Sequence, residues 1–169
     1  MGLAIAWRWM GLISVLLGVV ACAPVFTPAV RSQVDPTFSY AELAASPASH
    51  VGRVVLLAGT IVDVTNLQDS TRLTLLQYPT GRRGQPRTHR PSGGRFLLLA
   101  PGYLEAEVYR PGRALSVIGE VKGQQDLPLG ETTYAYPVIA PKELHLWPEG
   151  EGTSPRFHFS FGVGFSKGF

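Results

Sequence analysis

RVVLLAGTIVDVT, residues 53–65, is the stretch whose reading decides the fold. It is long, rich in β-branched residues, and carries Gly59 in its middle. An interior glycine in such a run marks a bulge or bend, the device by which one long strand serves two sides of a small barrel. Onward to Trp147 the chain is a series of short apolar runs separated by turn residues, with no sustained helical repeat. Further strands are expected at 71–78, 95–100 (RFLLLA), 113–122 and 132–140. In 113–122, Leu115, Val117 and Val121 fall on one face and Ser116, Glu120 and Lys122 on the other. Pro137 assigns its part of the fifth strand to an edge or a bulge. A short last segment, 143–147, sends Leu144 and Leu146 one way and His145 the other. Between the third and fourth strands lies PGYLEAEVYRPG, 101–112, long enough for one or two helical turns. The pattern predicts an all-β domain: a small five-stranded, OB-like, partly open Greek-key barrel with a short crossing segment between strands three and four. A sandwich of the same strand count is the alternative.

Toward the N-terminus, Ser39 with Glu42 three residues later has the form of a capping box, so a short helix is expected over 39–45, stopped by Pro47. Before it, 22–37 is rich in proline, alanine and valine and reads as a flexible tether. Residues 1–21 hold one charge, Arg8, followed by an apolar run from Met10 to Ala21 broken only by Ser14. That run is shorter than the ~20 residues a helix needs to cross the hydrocarbon core, and it matches the apolar stretch of a signal peptide. It ends in Val19-Val20-Ala21-Cys22. A branched apolar residue three before a cysteine and a small one directly before it form a bacterial lipobox. The expectation is cleavage between Ala21 and Cys22 and acylation of Cys22, whose chains would hold the protein to a bilayer, each buried methylene contributing about 0.8 kcal/mol. The expected organisation is therefore a signal peptide at 1–21, a lipidated cysteine and tether at 22–37, a barrel domain at 38–148 and a Gly/Phe-rich tail at 149–169.

Composition is consistent with one folded domain. The chain has 169 residues, and glycine and proline together account for 33 of them, below the roughly 25–30% at which disorder becomes the default. Its single cysteine excludes an internal disulfide scaffold and a thiolate zinc finger. The formal charge is +3, but it is unevenly placed. Of fourteen basic residues after Cys22, five stand in one stretch: Arg82, Arg83, Arg87, Arg90 and Arg95, with no acid between Pro79 and Ala100. The rest of the mature chain is mildly acidic. Arginine pairs bidentately with phosphate, so a loop of this kind suits lipid A phosphates, cardiolipin or another anionic partner. The alternative is a solvated, mobile hairpin tip. Nucleic acid is not expected as a partner, since no aromatic lies between Tyr78 and Phe96 to stack on bases.

Catalysis finds no signature. GxSxG, HExxH, GxGxxG and a phosphate loop are all missing from the sequence, and His50, His89, His145 and His158 stand singly. Glu105 and Glu107 are the nearest paired carboxylates, and without a pocket they define no acid and base. The expectation is a non-enzymatic protein with no catalytic residue, metal or cofactor. Tyr103, Tyr109, Tyr134, Tyr136 and Trp147 suit either a binding face or the core and rim of a small barrel. In the tail, Phe157, Phe159, Phe161, Val163 and Phe165 alternate with smaller or polar residues, giving one apolar face if the segment is extended.

The chain resembles the Slp-type outer-membrane lipoproteins of Gram-negative bacteria. The resemblance rests on the lipobox at Cys22, Val51-Gly52 leading into Ala58-Gly59-Thr60-Ile61-Val62, and Thr71-Arg72-Leu73. It continues through Gly102-Tyr103-Leu104, Arg110 to Arg113 with Ser116 to Gly119, Tyr134 to Ile139 and Leu144 to Trp147. These are diffuse apolar and glycine positions, informative about fold and location rather than chemistry. The resemblance implies a small OB-like domain tethered to the outer membrane and associated with starvation or envelope stress; the periplasmic face is the expected side. It brings no catalytic residues. Alanine at position 23, rather than aspartate, agrees with outer-membrane sorting.

Overall fold

The computed structural model describes residues 24–150. Two short helices and a 3-10 turn precede five strands. They are α1 (Pro28–Arg31), α2 (Tyr40–Ala45), the turn Pro47–His50, β1 (Val54–Asn66), β2 (Ser70–Tyr78), β3 (Gly94–Pro101), β4 (Ala114–Leu129) and β5 (Thr132–Leu146). The strands close into a barrel in the order β1-β2-β3-β5-β4, with β4 returning to β1. All pairings are antiparallel except β3 with β5, which are parallel and meet at only two positions, Leu97 with Val138 and Leu98 with Ile139. That order and that single parallel seam define an OB-type barrel. The expected partial opening is replaced by closure across this short seam.

β1 serves two sides of the barrel, as its length predicts. Val54 to Thr60 pair with β4, while Ala58 to Asn66 pair with β2, so Ala58, Gly59 and Thr60 are bonded on both sides. The bulge lies two residues beyond the glycine, between Ile61 and Asp63. It shifts the inward set from Val55, Leu57 and Ile61 to Val64. Gly59 has a different role: a Cβ there would come within 2.5 Å of the Leu76 carbonyl oxygen, so the backbone of β2 occupies the space a side chain would need.

The fourth and fifth strands are longer than their apolar runs. β4 continues to Leu129, and the segments expected at 132–140 and 143–147 are one strand, β5. The two form a long hairpin from Leu115 opposite Leu146 to Leu129 opposite Thr132, turning at Gly130, whose φ is +63°. Glycines and prolines that read as breaks are absorbed by two register shifts, at Ile118/Gly119 and at Val121/Gly123. The second falls beside Val138, next to Pro137, where the ladder tolerates a missing N–H. The crossing segment between β3 and β4 makes one turn, in which the Val108 and Tyr109 N–H groups donate to the Glu105 carbonyl.

The core is filled from alternate strand positions: Val55, Leu57, Leu73, Leu75, Phe96, Leu98, Leu115, Val117 and Ile139 are all essentially buried. Tyr40 and Leu43 of α2 close one end of the barrel. The capping box is not made, since Ser39 stands at the N-cap without a side-chain hydrogen bond there. Burial of Tyr40 and Leu43, rather than the cap, holds this helix in place.

Candidate functional site

The arginine loop between β2 and β3 is anchored rather than free. The Gly81 N–H donates to the Gln85 carbonyl at 2.7 Å and the Gly84 N–H to the Gly81 carbonyl at 3.0 Å, making a tight turn with Gly84 at φ +93°. At its base Thr80 and Pro86 form a β-bridge and the Arg87 N–H donates to the Pro79 carbonyl. A second turn follows, closed from the Arg90 N–H to the Arg87 carbonyl. The loop is thus not the mobile hairpin tip given above as the alternative, and a buried hydrogen-bond chain helps to hold it. Trp147 Nε1–H donates to Ser116 Oγ at 2.8 Å, and that hydroxyl donates to the Gly84 carbonyl at 2.7 Å. Both side chains are essentially buried, so every polar atom in the chain has its partner.

The five arginines do not form one cluster. Arg82 and Arg83 ride on the turn that sits on β4, with the Arg83 guanidinium 5.5 Å from the centre of the Trp147 ring. Arg87 and Arg90 flank the second turn. Arg95 belongs to β3, where its backbone is held by two tyrosines: its N–H donates to the Tyr134 hydroxyl and its carbonyl accepts from the Tyr40 hydroxyl. Arg82, Arg87 and Arg90 are exposed and make no ion pair with any described residue.

The segment expected as a tether is also packed down, from Phe26 onward. Phe26 is 1% exposed. Its ring stands edge-on to His145, which in turn stacks edge-on to Trp147, and it lies beside the arginine turn, where a Cβ added at Gly84 would meet it at 3.4 Å. Next to it, the Thr27 N–H and hydroxyl both donate to the Glu143 carboxylate at 3.1–3.2 Å. The Asp35 N–H donates to the Val54 carbonyl, and its carboxylate pairs with Arg53 at 3.1 Å. Hydrogen bonds from the Thr37 hydroxyl and N–H, with the Arg53 charge, hold the Asp35 carboxyl below its usual range. The stretch 26–35 is thus a strap fastened to β5 and β1. Its short-range composition is loop-like, which is why it reads as a tether in the sequence; its partners lie far along the chain.

The aromatic residues divide between these layers. Tyr136, with Leu97 and Val138, forms a second cluster outside the barrel, covered by Leu99, Leu127 and Tyr134. The β4–β5 hairpin folds over the outer face of β3, the side on which OB folds bind nucleic acid. Tyr134 and Tyr136 are engaged with each other at 4.6 Å, and Tyr109 packs on the core, leaving Tyr103 the exposed one at 68%. Tyr40 is buried enough that its phenol is pushed well above the usual tyrosine range, with Tyr134 adding to the effect.

Two adjoining hollows of about 340 and 400 Å³ share Phe38, Leu56 and Thr80 beside the loop's base. A third, of about 230 Å³, lies where Arg110 and Arg113 hold the Glu149 carboxylate. Their acidic residues are tied up, Glu149 by Arg110 and Arg113 and Asp35 by Arg53 and Thr37, and none of the three hollows is lined by a histidine, a cysteine or a second carboxylate. Among the described residues no three His, Cys, Asp or Glu side chains could hold a metal ion. Glu105 and Glu107 are exposed, and His50 is occupied with Phe38 and the Ser46 carbonyl. Ala21, Cys22, His158 and the phenylalanines of the tail lie outside the described residues. Sequence reasoning missed Phe26 and Ser116. The available signals were a lone aromatic in a Pro/Ala/Val stretch and a hydroxyl inside the apolar run ALSVIG.

A closed OB-type barrel with a strap and a pinned arginine turn on one side is the class of domain that the fold and the site define. The chain matches the family described as Outer membrane lipoprotein Slp family over residues 19–164, and it belongs to that family. This bears out the resemblance and carries it past Trp147 to residue 164. The chain is 28% identical over 116 residues to the uncharacterized lipoprotein YeaY of Escherichia coli, a match covering 69% of this chain and 60% of that protein. It is 27% identical over 110 residues to an uncharacterized protein of Haemophilus influenzae, covering 64% of this chain and 60% of the relative. The match thus spans about three fifths of the length of these relatives. Among solved structures, a small single-stranded DNA-binding protein from Streptomyces coelicolor aligns over 60% of this chain and 97% of its own, at 16% identity and a TM-score of 0.39. A likeness of that order carries no argument about ligands. The barrel's class rests on its strand order and parallel seam.

Proposed function

We propose that the protein is anchored to the outer membrane through acyl chains on Cys22, on the periplasmic face, and that its OB-type barrel acts there as a non-enzymatic binding or structural module. The single observation that carries this reading is that the family match begins at residue 19, the first position of the Val-Val-Ala-Cys lipobox. Two or three acyl chains bury enough methylenes to make such an anchor almost permanent. The outer face of β3 is covered by β5, whose Tyr134 and Tyr136 are spent on internal packing, and this supports a partner other than nucleic acid. The test is replacement of Cys22 by serine followed by membrane fractionation. The variant is expected in the soluble fraction; retention in the outer membrane would refute the anchor.

A second reading is favoured by Arg82, Arg87 and Arg90, which are exposed and without an ion pair among the described residues on a loop held by its backbone turns and by Ser116. They suit an anionic envelope ligand such as lipopolysaccharide or cardiolipin phosphates. Neutralising Arg82, Arg83, Arg87 and Arg90 together is expected to abolish binding to cardiolipin vesicles and to flatten its salt dependence. Unchanged binding would assign the loop a structural role only.

A further inference from the structure

We infer that the barrel lies on the membrane by one particular side: the outer face of β4 and β5 where Phe26 and the arginine turn meet, set against the anionic headgroups of the bilayer that holds its own anchor. This rests on Cys22 being the lipidated residue, and it goes further by fixing which surface faces the lipid. Covalent reach sets the limit. Were 22–37 an unpacked tether of sixteen residues, the barrel could stand roughly 50 Å from its anchor and turn freely. Phe26, however, is buried and fastened through Thr27 to Glu143, leaving four residue steps from Cys22 to a fixed point on the barrel. Four steps span at most about 14 Å. A domain of this length is about 35 Å across, so its opposite side, the outer face of β2 and β3, cannot reach the bilayer on that leash.

What surrounds the fixed point is cationic. A Cβ added at Gly84 would meet the Phe26 ring at 3.4 Å, so the ring lies beside the turn that carries Arg82 and Arg83, and α1 ends in the exposed Arg31. No acid occurs in 24–34 or 79–100. The nearby Glu143 carboxylate is committed to Thr27, and Asp35 is paired with Arg53. A basic residue close to an anionic surface contributes about 1 kcal/mol, roughly fivefold in affinity, so three or four around one anchor are enough to select an orientation. The acyl chains supply attachment; the arginines set its angle.

The lipidated chain tests this directly. Cys22 is its only cysteine and its thiol is acylated in the anchored form, so an introduced cysteine is the sole free thiol. One fluorophore is placed at Ala29→Cys on the strap and, in a second protein, at Thr74→Cys on the outer face of β2. Each is reconstituted in phosphatidylcholine vesicles carrying a headgroup-linked energy acceptor, with and without phosphatidylglycerol. Stronger transfer is expected from position 29 than from 74, with the difference widening on phosphatidylglycerol. Changing Arg31, Arg82, Arg83 and Arg87 to glutamine should remove that widening, with the urea midpoint confirming that the variant is folded. A Gly/Ser linker inserted between Val25 and Phe26 should level the two labels on pure phosphatidylcholine. Equal transfer in the wild-type chain, or stronger transfer from 74, would overturn the orientation while co-flotation with vesicles still held. Loss of co-flotation would instead overturn the anchor itself.

Discussion

The indole N–H of Trp147 donates to the hydroxyl of Ser116 at 2.8 Å, joining residues 31 positions apart in the interior of the protein. The same hydroxyl donates onward to the Gly84 carbonyl, so one serine ties the end of β5 and the arginine turn to β4. Hydroxyls buried in this way hold structure because each alternative leaves a donor or an acceptor without a partner.

Ser116→Ala removes both bonds at once. It leaves the Trp147 indole and the Gly84 carbonyl unsatisfied, and the expected cost is about 2–4 kcal/mol. Tryptophans stand at 7, 9 and 147, so a chain beginning at Cys22 reports through Trp147 alone. Urea unfolding followed by its fluorescence should show a lower midpoint. Limited trypsin digestion should cut sooner at Arg82 and Arg83, and an unchanged cleavage rate would mean that the loop is held by its backbone turns without the serine.

Phe26→Ala tests the strap. Removing a buried phenylalanine typically costs about 3–5 kcal/mol, but this one lies under a short peripheral segment. The expected result is local release: rapid trypsin cleavage at Arg31 with the barrel still cooperative in urea. Global unfolding in one step with the wild-type pattern of cleavage would show that strap and barrel are a single unit.

Gly59→Ala places a methyl within 2.5 Å of the Leu76 carbonyl oxygen, where only backbone can move to make room. The predicted destabilisation is about 1–3 kcal/mol, read as a lower midpoint in urea. No loss would mean that β2 can shift outward at the bulge without breaking its pairing.

Tyr40 gives the pH dependence its alkaline limb. Burial raises its folded pKa, so its contribution to stability is fully present below the ordinary tyrosine value and declines as pH rises beyond it. Above about pH 10 the unfolded chain ionises first and stability falls. Tyr40→Phe should flatten that limb, at the expense near neutrality of about 1 kcal/mol for the lost hydrogen bond to the Arg95 carbonyl. Urea midpoints at neutral and alkaline pH decide the matter.

Much of the barrel was legible in the sequence because burial on one face of a strand imposes a period of two. Leu73 and Leu75, or Leu115 and Val117, declare the inward face within a few residues. The lengths of β4 and β5 were not, because Gly123, Pro137 and Pro141 break the local pattern and only cross-strand pairing carries the ladder past them. Ser116 shows the same limit on the other face. By alternation it belongs with Glu120 and Lys122 in solvent, yet it is wholly buried, since the strap and the arginine turn cover the first half of the outer face of β4.

The sequence by itself determined the strands that alternate, the family and the concentration of positive charge in one loop, all of them properties of neighbouring residues. Only the tertiary structure decided that the tether is a strap from Phe26 onward, that the loop is pinned, and that the two meet. Phe26 finds His145 and Gly84, and Trp147 finds Ser116, over separations of 31 to 119 residues. Local periodicity reports which side of a strand avoids water; it holds no record of which distant segment will come to cover the other side.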